Sequence, residues 1–201
     1  ALGLVGMPAE AEKYLETYLG NQGRIKPPSP YLDRHPGYFG PPENMSFINW
    51  ITDHAAILWA ASAHGLITMD ANFLRRWEEP IVKGCEFIQL ALCAKGHGGY
   101  EGIMPPGVPN DTSAVSAQVV WNDAWYHKAF LTAVRLLERT RHPRAAEFRQ
   151  SVNVYHDTFQ KAFRDVVSQS KRWEAPDGTK VPFIPMALTR AKTPGLMQND
   201  A

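Results

Sequence analysis

Four carboxylates stand where their surroundings could give them chemistry. Glu101 lies in Gly98-Gly99-Tyr100-Glu101-Gly102, where the glycines let backbone approach a ligand closely. Asp111 follows in Pro109-Asn110-Asp111-Thr112. It can serve as an acid or a ligand to hydroxyl groups, or equally as a turn residue or helix cap. Asp53 and Asp123 are lone acidic groups near the starts of otherwise apolar helical stretches. A buried carboxylate needs a partner or a reason. The positive end of a helix supplies one reason, worth about 0.3–1 kcal/mol. A place at a binding rim supplies another. Paired carboxyl groups, one with a raised pKa, can run general acid–base catalysis.

The chain also carries six Trp, seven Tyr and nine Phe. Aromatic rings fill cores and also make platforms on which sugar rings stack. Trp50, Trp121 and Trp125 are candidates for stacking, with core packing the alternative for at least one of them. His54 and His127 lie on apolar helices, where a lone His is commonly a core residue; either could also orient a substrate. His97, on the Gly-rich segment beside Tyr100, is better placed for ligand contact. There is no His-Glu-x-x-His, no Cys-x-x-Cys pair, no Walker loop and no Gly-x-Ser-x-Gly elbow, so the sequence implies neither a metal nor another cofactor.

The charge balance narrows the partners. Twenty-one basic and 20 acidic residues give a formal net charge of +1, which argues against a nucleic-acid binder. No stretch approaches the roughly 18 apolar residues of a membrane span. The N-terminal Ala1-Leu2-Gly3-Leu4 lacks the basic region of a signal peptide and an initiator Met, and reads as a processed end or a fragment. Cys85 and Cys93 fall in one predicted helix, about 12 Å apart along its axis. That is too far for a disulfide, so two free, buried thiols are expected.

These groups must be positioned by helices, since no segment reads as a strand. The pattern predicts five helices within a single domain or part of one, covering about Pro8–Leu19, Trp50–His64, Ala71–Ala94, Ala117–Arg139 and Arg144–Gln169. The second and fourth are apolar on most sides and should be buried. The third and fifth are amphipathic. Gly65 should stop the second helix, and Pro80 should break, kink or restart the third. An irregular, Pro-rich tail is expected from about residue 170.

The connectors alternate. Residues 20–49 and 95–116 form long segments rich in Pro, Gly and aromatics, whereas the second and third helices, and the fourth and fifth, are joined by short turns. A short turn makes two helices antiparallel neighbours. If buried helices form an inner layer and amphipathic ones an outer layer, both long connectors reach the same rim. Long ordered connectors commonly carry function.

Several local patterns, in this order, resemble the six-hairpin (α/α)6-barrel glycosidase superfamily. They are Thr52-Asp53-His54-Ala55-Ala56-Ile57-Leu58-Trp59-Ala60, Phe73-Leu74-Arg75-Arg76-Trp77, Gly102-Ile103-Met104-Pro105-Pro106-Gly107 with Asn110-Asp111, Trp121-Asn122-Asp123-Ala124-Trp125 and Pro176-Asp177-Gly178-Thr179. The resemblance implies an all-α toroid of helical hairpins, here an incomplete ring of about two and a half, with further chain segments or a subunit completing the barrel.

It also implies hydrolysis of glycosidic bonds in an oligo- or polysaccharide, a reaction run by two flanking carboxyl groups. Glu101 and Asp111 are then the catalytic candidates. Asp53, His54, His97, Tyr100, Trp121, Asp123 and Trp125 are the substrate-binding candidates. Two other readings stay open. One is a non-catalytic glycan-binding or structural toroid module. The other is a sugar lyase or epimerase using Tyr100, Tyr126 or His97 as base.

Overall fold

The structure, a computed structural model, describes residues 6–42, 49–109 and 117–189. The protein is all-α. Five helices, α1 (Pro8–Leu19), α2 (Ile51–Thr68), α3 (Ala71–Leu92), α4 (Val120–Arg139) and α5 (Ala145–Gln169), are followed by a small hairpin of β1 (Arg172–Glu174) and β2 (Lys180–Pro182).

The helix directions follow from side-chain meetings. At one end the Tyr126 hydroxyl of α4 donates to the Ile51 carbonyl of α2 at 2.7 Å. At the other end Gly65 of α2 packs against Leu136 of α4. The two therefore run parallel, side by side. Met69 and Asp70 turn the chain into α3, and residues 140–144 turn it into α5, so each of these helices returns antiparallel to its predecessor. The α1 helix joins them: Glu12 bonds His64 near the end of α2 at 3.2 Å and Arg76 near the start of α3 at 2.9 Å. The result is two layers, α2 and α4 in one, α1, α3 and α5 running the opposite way in the other.

Both long connectors reach the end of the molecule where α2 and α4 begin. Ser29 Oγ donates to the Pro106 carbonyl at 2.7 Å, and the Val108 amide donates to Pro28 O at 3.0 Å. The Tyr31 and His97 rings meet edge to face at 5.6 Å. The segment after the hairpin arrives there too, since the Val120 amide donates to Met186 O at 2.9 Å and Val119 pairs with Ala187 as an isolated bridge.

Helix starts follow local chemistry. Pro8 occupies the first turn of α1, and Asp70 accepts from the Phe73 amide at 2.7 Å to cap α3. Several details differ from the sequence expectation. Gly65 does not stop α2. It lies inside the helix because a Cβ there would stand 2.9 Å from Leu136, so glycine permits the α2–α4 approach. The stop falls at Met69, left-handed at φ 48°. Pro80 does not break α3, which runs continuously through it. A helix-interior proline costs about 3 kcal/mol, but burying a single large apolar side chain returns about 1.5–3 kcal/mol, and Trp77, Ile81 and Cys85 flank it fully buried.

The α4 helix starts at Val120, because Ala117 and Val119 pair with Gly107 and Ala187 in extended bridges. Strands do occur in the tail, where Trp173 pairs with Val181 across the turn at Gly178, φ 81°. Cys85 is buried as expected, but Cys93 is exposed at the end of α3; both are free.

Candidate functional site

The rim is built outward from the first turns of α2 and α4. Asp53 sits in the first turn of α2 and accepts from the Trp50 amide at 3.0 Å, while its own amide donates back to Trp50 O at 3.1 Å. This reciprocal pair fixes the start of the helix. Asp53 is half-buried, and burial pushes its carboxyl up to about 6 against the pull of the Trp50 amide.

Asp123 holds the matching place on α4 and is 1% exposed. Its Oδ1 accepts from the Met104 amide at 3.0 Å and the Tyr155 hydroxyl at 2.7 Å, while Oδ2 is buried with no hydrogen-bond partner among the described residues. Burial drives this carboxyl up to about 7; the Met104 and Tyr155 bonds oppose the rise. Asp123 thereby ties the 95–109 connector to α4 and α5. Gln118 clamps the same connector, giving its Nε2 to Tyr100 O at 2.8 Å and Met104 O at 3.0 Å.

The first connector is held by His54. This ring is fully buried among Tyr38, Phe39, Phe87 and Tyr126, and its Nδ1 accepts from the Phe39 amide at 3.0 Å. Burial drives the imidazole down to about 3; the Gly84 backbone favours charge and His35 opposes it. His54 is a neutral packing residue here, enclosed away from solvent.

The remaining candidates divide by place. Trp121 is 52% exposed, and Trp125 is half-buried one turn further along α4. Their rings meet edge to face at 5.9 Å. His97 is nearly enclosed, with Nδ1 accepting from the Gly99 amide at 3.2 Å. Tyr100 donates to Asp165 of α5 at 2.6 Å, and that hydrogen bond raises its phenol pKa. Glu101 is exposed beside it; Gly102 abuts Thr158, so this stretch of the connector lies over α5. Asp111 lies outside the described residues. Pro109, two positions before it, accepts from Thr52 Oγ1 at 3.1 Å beside Asp53.

Asn122 and Tyr38 went unread in the sequence. Asn122 is 1% exposed with neither side-chain amide atom partnered among the described residues, and the Nε1 of Trp50, a stacking candidate, is likewise buried and unpartnered among them. Tyr38 and the candidate base Tyr126 lie within electrostatic reach of Asp53, and burial drives both phenols well above the usual value. The signal for Asn122 was its type: an amide beside Asp123 on the apolar face of a helix has to find partners or carry a role.

Among the described residues no group of three His, Cys, Asp or Glu side chains could hold a metal ion. No helix of the described residues is long and apolar enough to cross a membrane. Comparison of the chain with protein-family models, with curated proteins and with solved structures yields no match.

Proposed function

We propose that the protein belongs to an α/α toroid whose connector rim hydrolyses glycosidic bonds, with Asp53 as the general acid. The observation that carries the reading is the carboxyl group of Asp53. It is raised to about 6, partly open to solvent, and set at the rim where both long connectors meet. Such a carboxyl keeps its proton up to about pH 6, well above the range of a free aspartate, and can give it to a leaving oxygen. Parallel α2 and α4, backed by antiparallel α1, α3 and α5, have the layering that an inner and an outer ring would require. Further hairpins or a second subunit would close that ring around the saccharide.

The second carboxyl group is assigned to Asp111, whose connector is bonded to Thr52 beside Asp53. Glu101, placed over α5, stands as its alternative. Carboxylate chemistry is favoured over a tyrosine base because the Tyr100 and Tyr126 phenols are both shifted upward, which keeps them protonated.

The test is release of reducing ends from a panel of oligo- and polysaccharides. Asp53→Asn keeps the oxygen that accepts the Trp50 amide, so the fold should stand while turnover falls about 10²–10⁴-fold. Full turnover in Asp53→Asn would remove Asp53 from the mechanism. Sugar binding with no product from the wild-type chain would leave a glycan-binding module.

A further inference from the structure

The open face of the α2–α4 layer carries a cluster that the acid–base chemistry does not use. Trp59 of α2 and Trp125 of α4 meet edge to face at 5.8 Å and 71°. Trp121, one turn nearer the rim, meets Trp125 in the same way. Lys128 lies across this group, its Nζ 4.4 Å from the Trp59 ring centroid and 5.2 Å from that of Trp125. Ala56 and Ala60, the small residues on the same stripe of α2, are half-buried. Asp53 sits on that same stripe, one turn toward the rim.

One feature sets this lysine apart from a stray surface cation. Lys128 is exposed and, like most cations of the described residues, forms no ion pair among them. Its ammonium lies instead against two indole rings, whose electron-rich faces attract a cation. That contact biases the charge toward the rings without neutralising it. An ammonium has three donors, so an incoming anion can be bound while the rings stay in contact. On the far side of Trp125, the exposed Trp121 ring offers an apolar plane.

A ligand that suits both needs a flat C–H face to lie on an indole and an anionic group at the ring's edge. We propose that Trp121, Trp125 and Lys128 form a subsite for a hexuronic acid ring, so that the saccharide handled at the rim is an acidic one. The sugar ring stacks on Trp121, and its carboxylate takes hydrogen bonds from the Lys128 ammonium. This rests on the saccharide reading given above and narrows it to one substrate class.

The test is titration of tryptophan fluorescence in the whole chain with oligouronates of the galacto and gluco series, each against its neutral methyl ester. The wild-type protein should bind at least one acid form about 10-fold more tightly than its ester, with the preference shrinking as salt rises. Lys128→Gln should weaken the acid form far more than the ester and so erase that preference, and Trp121→Ala should weaken both forms. Circular dichroism of each variant verifies the fold. Equal affinity for acid and ester, binding of neither, or a preference that survives Lys128→Gln would overturn the proposal. Reducing-end release is scored separately. Hydrolysis of a neutral glycan with no Lys128-dependent preference leaves the glycosidase reading standing and removes this one. Lys128-dependent uronate binding without product does the reverse.

Discussion

The Tyr155 hydroxyl donates to Asp123 Oδ1 at 2.7 Å, joining α5 to α4 at the level where the Met104 amide reaches the same oxygen. One buried carboxylate oxygen thus anchors three segments, while its twin has no partner among the described residues. Removing the phenol oxygen leaves Asp123 with the Met104 amide alone. Tyr155→Phe should cost about 1–3 kcal/mol of stability, read as a lower urea midpoint. It should also push the Asp123 carboxyl further up, because the lost bond opposed the rise.

Asp123 makes stability depend on pH in an unusual direction. Its folded pKa, about 7, lies above the ordinary 3.8, so between those values the folded state holds a proton that the unfolded state has released. Stability from this group is greatest below about pH 4 and falls as pH rises toward 7. His54 works the other way. Folded at about 3 against an ordinary 6.5, it lowers stability as pH drops through that window. The two oppose each other between about pH 4 and 6.5. Asp53, raised to about 6, acts in the same sense as Asp123, so the two carboxyl groups outweigh the single imidazole and wild-type stability should fall as pH rises from about 4 to 6. Replacing both Asp53 and Asp123 by Asn should unmask the His54 dependence, with stability rising from pH 4 to 6.5 by an amount on the order of a few kcal/mol. A flat profile in that double variant would contradict the burial of His54.

Gly37 locks the first connector onto α3. A Cβ at this position would stand 1.8 Å from the Lys83 carbonyl oxygen, a backbone atom that cannot rotate away. Gly37→Ala should cost at least about 3 kcal/mol in denaturant unfolding. Gly40→Ala is the control: its Cβ would meet the end of the Ile25 side chain at 2.4 Å, which can turn aside, so the loss should be smaller.

The helices were legible where local chemistry decides them. Pro8 and Asp70 mark the starts of α1 and α3, and the apolar girth of α2 announced its burial. Reading failed where distant chain intervenes. Nothing near Gly65 says that Leu136 needs its missing side chain, and nothing near Pro80 says that Trp77 and Ile81 will be buried deeply enough to hold the helix. Residues 117–119 looked helical because their bridge partners, Gly107 and Ala187, lie outside the local pattern.

The same contrast governs the site. Asp53 and Asp123 stood out as acids in apolar surroundings, and both now show raised pKa values. The enclosure of His54 follows the ordinary expectation for a lone His on an apolar helix, whereas the place of Lys128 over Trp59 depends on packing between elements that no single stretch encodes.

The pairing of the tail with the start of α4 carries a consequence for synthesis. Gln118 and Thr189 are 71 positions apart, yet the Gln118 amide is held by the Thr189 hydroxyl, and the Val120 amide by Met186. A ribosome releases the earlier residue several seconds before the later one, at about 5–20 residues per second. The α4–α5 hairpin can form only late in that interval, once Gln169 has emerged, and its leading amides still face water then. The α4 edge of the rim therefore closes only after a residue 71 positions downstream of its own start has left the ribosome.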